Sequence, residues 1–269
     1  MKIIVSHDVD HLTVWEHWKD LIAVKQAGRN LIELAVGRIS IAEVLLRCAN
    51  MACNRWQNIE ELMEYDISRK VPSTFFVGVA NGKGLSYSPA QAAKWIERIK
   101  KQGFDVGVHG INYDDAIVVK QEHDRFADIY RSNDFGIRMH YLRRTEQTME
   151  LLSQAGYSYD CSEPGMIRPR LVGRMWEFPL QLMDGWVLCE GTRWQNRDLE
   201  QAKAATIGII DQAARADLPY CSLLFHDRYF DDSFLSWKQW YMWVIDHLCV
   251  QGYSFCDYRT AVSELGGGN

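Results

Sequence analysis

The chain has 269 residues, 47% of them hydrophobic and 24% charged, with a formal net charge of −5. That is enough apolar material for one barrel-sized core, and it excludes a disordered composition. Nothing in it gives the basic footprint of a nucleic-acid binder, so no nucleic-acid partner is expected.

The first predicted element is a strand, "KIIV", leading directly into "SHDVDH" at residues 6–11. No signal-peptide-like apolar stretch precedes it. No uncharged run is long enough to span a bilayer. The seven cysteines (Cys48, Cys53, Cys161, Cys189, Cys221, Cys249 and Cys256) contain no CxxC pair. Together these features lead us to expect a cytoplasmic location.

Residues 12–70 then break the rhythm, because they separate the first two strands by far more than a loop. Their apolar spacing predicts two or three helices inserted after strand one. Between Val14 and Trp56 stand Lys19, Lys25, Arg29, Arg38, Arg47 and Arg55 against Glu16, Asp20, Glu33 and Glu43, with Trp15, Trp18 and Trp56. Basic and aromatic residues on amphipathic helices suit an interfacial membrane segment. The expectation is that the insertion walls the cleft and touches anionic membrane weakly.

From residue 73 onward strands alternate with helices. The strand-like runs are "STFFVGVA" (73–80), "FDVGVHG" (104–110), "GIRMHY" (136–141), "YSYDCS" (157–162), "EFPLQLMD" (177–184), "CSLLFHD" (221–227) and "YSFCDY" (253–258). Helices are expected between most of them. The one at 88–103 carries Ser88 as N-cap, Pro89 at its first position and Gly103 as stop signal. The terminal "GGGN" is expected to fray. This order predicts an α/β fold: a distorted parallel (β/α) barrel of about seven strands, one domain over 1–269 with the helical insertion at 12–70.

In such architectures chemistry sits at the carboxyl ends of the strands. Asp8, Asp10, His109, Arg138, His140, Asp160, Asp184, His226 and Asp227 all fall there. Carboxylate with imidazole suits zinc, cobalt, manganese or iron. His7 alternates with Asp8 and is expected to pack beneath the site. His17, His123 and His247 are read as packing or solvated residues. Asp184 is a candidate partner for Arg138 or a turn residue. Trp186 and Trp194 are candidates for stacking on a sugar or for packing.

The ordered set "SHDVD", "VPSTFFVG", "GFDVGVHG", "GIRMHYLR", "YDCS" and "LLFHD" resembles the polysaccharide deacetylases, carbohydrate esterase family 4, over about 73–260 plus the first strand. The resemblance implies metal-dependent removal of acetyl from an N-acetylated sugar of a surface polysaccharide or its precursor. It makes Asp8 the base, Asp10 and His109 metal ligands, Arg138 the residue that orients or tunes the base, and His226 the general acid. The metal it implies is a divalent ion, zinc first, with cobalt, manganese, nickel or iron as alternatives.

Two departures stand out. Tyr113 occupies the place of the family's second histidine, and His140 that of a proline. His140 is the expected replacement ligand, with His11 and Asp114 as other candidates. Other readings are a carbohydrate-binding barrel without turnover, or hydrolysis of an O-acetyl ester or another amide. Oligomeric state is not legible from the sequence.

Overall fold

The computed structural model describes residues 1–17 and 21–267. Expectations that touch Trp18, Lys19, Asp20 or the terminal residues 268–269 lie outside the described residues.

Strand β1 (Lys2–Val9) is followed by α1 (Ile22–Ala35), α2 (Ile41–Ala52) and α3 (Ile59–Arg69). The insertion is thus helical, as its apolar spacing implied. Next come β2 (Thr74–Val77), α4 (Pro89–Lys101), β3 (Asp105–Gly110), α5 (Ala116–Tyr130), β4 (Ile137–Met139), α6 (Thr148–Ala155) and β5 (Tyr159–Asp160). The chain continues through β6 (Arg170–Val172), β7 (Met175–Glu177), β8 (Leu180–Met183), α7 (Asp184–Cys189) and α8 (Leu199–Arg215). It ends with β9 (Tyr220–Leu224), α9 (Leu235–Val250), β10 (Ser254–Cys256) and α10 (Tyr258–Gly266).

Local chemistry fixes the helix starts. Ser88 accepts from the Gln91 amide while the Gln91 side chain returns to Ser88, a capping box in front of Pro89. Ser40 with Glu43 and Asp198 with Gln201 do the same for α2 and α8.

Among the described residues one curled sheet runs in the order β6-β7-β5-β4-β3-β2-β1-β9-β8, with β10 beside β1, and β6/β7 is its one antiparallel pair. A bridge between Pro164 and Leu180 links the chain just past β5 to β8. The α/β class is as expected, and the mostly parallel curl is a half-barrel that fits the expected distorted barrel, but the described residues hold ten strands rather than about seven. Two reasons account for the difference. The run 177–184 is split, because β7 ends at Glu177 and Pro179, which has no N–H for a ladder, precedes β8. Ahead of it, residues 170–177 form a hairpin that turns at Gly173, whose φ is +59°.

Two apolar layers hold the sheet. Outside it, α9 buries Trp237, Trp240, Tyr241 and Val244 against Phe225 and its neighbours. Inside the curl, Ile4, Phe76, Tyr159, Phe178 and Tyr258 form a second cluster, with Tyr258 stacked on Tyr159 at 4.9 Å. Helix α10 thereby plugs one end of the curl and leaves the carboxyl end for the site.

Candidate active site

Strand β1 sends alternate side chains to opposite faces. Ser6 and Asp8 face the interior of the curl, where one guanidinium meets both. Arg138 donates through Nη1 to Ser6 Oγ (2.8 Å) and Asp8 Oδ1 (3.3 Å). It also donates through Nη2 to the Tyr258 hydroxyl (2.9 Å) and through Nε to the Cys161 carbonyl (3.2 Å). Its Cζ lies 4.7 Å from the Phe76 ring centroid. Gly107 makes room for that ring, since a Cβ there would fall 2.6 Å from it. Burial opposes the charge of Arg138, but Cys161, Tyr258 and Asp8 outweigh it and raise its pKa above the ordinary value.

His7 points the other way. Its ring nitrogens lie 2.9 Å from the Phe225 carbonyl and 2.9 Å from Asp66 Oδ2, fully buried. It packs beneath the site, as its alternation with Asp8 implied.

Strand β1 ends at Val9, and the chain turns before Asp10. The two carboxylates consequently reach different partners. Asp10 Oδ1 lies 3.0 Å from His109 Nε2 and 3.2 Å from His140 Nδ1, and those two nitrogens are 2.9 Å apart. The far nitrogen of each ring faces a backbone carbonyl: His109 Nδ1 meets Arg138 O at 3.1 Å, and His140 Nε2 meets Lys83 O at 3.2 Å. A carbonyl only accepts, so each far nitrogen carries the N–H. The neutral rings then turn two lone pairs on one another and on a carboxylate oxygen. Such contacts are held either by a proton on one of the rings or by a cation among the three acceptors. This donor set, two imidazoles with outer carbonyl partners and one carboxylate, fits a divalent metal.

The charges agree. Burial works against ionisation of Asp10, yet the bonds from His109 and His140 hold its pKa well below the carboxylate range. Burial likewise works against protonation of His109, but Asp8 and Asp10 outweigh it and raise its pKa.

His226, just past β9, completes the ring of groups. Its Nδ1 lies 2.9 Å from Asp184 Oδ1 and 3.0 Å from Oδ2, and its backbone N–H donates to Oδ2 at 2.8 Å. Its Nε2 lies 3.8 Å from Asp10 Oδ2. Burial disfavours its charge, but Asp184 and then Asp10 outweigh this and lift its pKa well above the histidine range.

These groups line one cleft of about 270 Å³: Asp8, Asp10, His109, His140 and His226 on its polar side, with Tyr141, Leu142, Met183, Trp186 and Leu224 around them. A larger groove of about 530 Å³ between α4 and α5 is lined by Lys, Glu, Asp and Tyr side chains and has no convergent imidazoles. The backbone is strained at the cleft wall: Tyr141 and Leu142, directly after His140, take φ of 59° and 52°.

The remaining candidates fall elsewhere. His11 pairs with the buried His17 at 2.9 Å, outside the triad. Asp114 is exposed, and Tyr113 lies 5.0 Å beneath the Arg143 guanidinium. Asp160 is satisfied by Ser162. Asp227 accepts from the Asn58 amide, and burial pushes its pKa up to about 8. Asp184 partners His226, not Arg138. Trp194 does not line the cleft, whereas Trp186 does. Sequence reasoning missed the Asp184–His226 pair and the Lys83 carbonyl. The first was recoverable from strand order, since β8 and β9 are neighbours, while a backbone carbonyl leaves no signal in sequence.

The mostly parallel curl is shared with solved structures. No family model and no curated protein matches the sequence. Among solved structures, one assigned as a polysaccharide deacetylase from Mycobacterium smegmatis is similar with a TM-score of 0.59 at 14% identity, covering 94% of this chain and 91% of that one. PuuE allantoinase is similar with a TM-score of 0.59 at 13% identity, covering 82% and 77%. Another, assigned as a polysaccharide deacetylase from Pseudomonas aeruginosa PAO1, gives 0.56 at 14% identity, covering 81% and 76%. At these identities the common property is the fold.

Proposed function

We propose that the chain is a metal-dependent hydrolase that removes N-acetyl groups from an N-acetylated sugar of a surface polysaccharide or its precursor. The observation that carries the reading is the inward-facing triad of Asp10, His109 and His140, set between Asp8 and His226 in one cleft. In the roles proposed here, those three residues hold a divalent ion, with zinc first because of its preference for two nitrogens and a carboxylate. When bound, such an ion supplies polarisation of the acyl carbonyl and a lowered pKa for water.

The protein's own groups do the rest. Arg138 holds one oxygen of Asp8, and the other takes the proton of the attacking water. His226, oriented through Nδ1 by Asp184, presents Nε2 to the cleft and protonates the leaving amine. Trp186 offers an aromatic wall for a sugar ring, and a cleft of about 270 Å³ suits a single sugar unit within a chain. Seven unpaired cysteines, three of them exposed, favour a reducing compartment.

The test is acetate release from N-acetylated oligosaccharides by metal-stripped and zinc-reloaded protein, beside an O-acetylated sugar and a cyclic amide. Acetate from the N-acetylated sugars that disappears on stripping is expected. Turnover of the ester or the cyclic amide alone replaces the substrate class. Sugar binding without turnover of any compound leaves a binding barrel.

A further inference from the structure

Helices α1 and α2 are inside out. The buried side chains of α1 are Gln26, Asn30 and Glu33, and that of α2 is Arg47. They form a polar seam against the body of the protein. Arg47 donates to Glu33 (2.5 Å) and to the Ser233 carbonyl (2.7 Å), Arg29 donates to Glu33 (2.8 Å) and the Tyr229 hydroxyl (3.0 Å), and Glu33 accepts from the Gln195 amide (2.7 Å). The apolar faces point outward. Leu21, Val24, Leu31, Ile41 and Leu45 are between 62% and 68% exposed, and Lys25 is the one charged residue among the exposed positions of residues 21–52. Arg29 and Arg47, counted in the sequence among the basic residues suited to an interfacial segment, face inward.

A surface hairpin of a soluble protein normally buries its apolar stripe. Here a charged network is buried and the apolar stripe is left to another apolar medium. Charge indicates which. Residues 21–56 carry five basic and two acidic side chains, net +3, within a chain of −5, so the remainder carries −8. Arg29 and Arg47 lie in the seam with Glu33, so nearer the surface stand Lys25, Arg38 and Arg55 against Glu43, net +2, and a second copy would set one positive segment against another. An anionic lipid surface attracts this face and repels the rest of the molecule. Among the described residues no helix is long and apolar enough to cross a membrane, so the fitting mode is insertion into the interface. Trp15, 71% exposed at the start of the insertion, is a suitable interfacial anchor.

We propose that the outward face of α1 and α2 docks the protein on an anionic lipid surface. Its position gives this a purpose. The polar seam rests on Tyr229 and Ser233, in the segment that follows His226, so the docking face lies at the cleft end of the sheet. A docked molecule would meet saccharides carried on lipid, a consequence that rests on the function proposed above, whereas the docking itself does not.

The experiment is co-sedimentation of the full chain with vesicles of phosphatidylglycerol and phosphatidylcholine (1:1) and of phosphatidylcholine alone, at low and high salt. Light scattering gives the oligomeric state without lipid. Leu31→Glu and Leu45→Glu change exposed positions, and thermal melting checks that both fold. The expected result is binding to the anionic vesicles, weakened by salt and by neutral lipid, and at least tenfold weaker in each variant. Acetate release from a soluble substrate is expected to be unchanged in both, which separates failure of docking from failure of the proposed function. No sedimentation of the folded wild-type chain would overturn the proposal. So would a lipid-free dimer that the two variants dissociate, because the face would then be a self-association surface.

Discussion

The Asp184–His226 pair offers the sharpest perturbation of the proposed acid. Asp184 is fully buried and places both oxygens within 3.0 Å of His226 Nδ1, while also accepting the His226 backbone N–H. Asp184→Asn keeps the size and removes the charge. A hydrogen bond to a charged group contributes about 1.5–3 kcal/mol, which corresponds to roughly 10- to 150-fold in rate if it is felt at the transition state. The direction with pH follows from the environment of the ring. Burial disfavours the imidazolium, and Asp184 is the largest influence that favours it. An acid must be protonated to act, so a raised pKa extends activity upward in pH. Removing the Asp184 charge should move the alkaline limb of the pH–rate profile to lower pH. The assay is acetate release across pH 6–10, with metal content measured on the same samples. Unchanged rate and an unmoved alkaline limb, in a folded and metal-replete variant, would refute the role of His226 as the acid oriented by Asp184.

Four further outcomes are expected. Asp8→Asn should abolish turnover while leaving metal content near that of the wild type, because Asp8 lies outside the triad. His140→Ala should weaken zinc binding, measured by competition with a chromophoric chelator, by more than the roughly 10–100-fold that loss of an outer partner costs. Arg138→Met should lower stability in urea by about 3–5 kcal/mol, because it strands Asp8 and the Cys161 carbonyl in the interior. Glu177 titrates differently: burial, followed by the charge of Asp160, lifts its pKa well above the carboxylate range. The folded state therefore keeps a proton that the unfolded chain gives up above about pH 4.3, and stability falls as pH rises from there toward the folded pKa. Glu177→Gln should flatten that fall between pH 5 and pH 8 in urea titrations, and a variant with the wild-type slope would contradict the assignment.

The strand-end residues were legible because each closes an apolar run with a polar group. His140 was a candidate replacement ligand because it stands where the family has a proline, and the structure brings it beside Asp10 and His109. The division between Asp8 and Asp10 depends on where the strand stops, and alternation alone places both on one side. Pairing across strands was less accessible: Asp184 is the visible end of β8, but its partner follows from the order β9-β8, which sequence does not state. The hairpin of β6 and β7 was hidden by its short, charged strands. The orientation of α1 and α2 was hidden most deeply. Periodicity shows that a helix has two faces, yet Gln26, Asn30, Glu33 and Arg47 look like a solvated face until their partners on distant segments are known.

The central claim is a metal held by Asp10, His109 and His140. X-ray absorption at the zinc edge, on protein reconstituted and freed of excess ion, measures it most directly when paired with metal content for the wild type and for Asp10→Ala and His140→Ala. The account predicts about one zinc per wild-type chain, in a nitrogen and oxygen shell with the scattering of two imidazoles, and loss of tight binding in Asp10→Ala. A shell showing a single imidazole, or a His140→Ala protein with unchanged spectrum and stoichiometry, would contradict it.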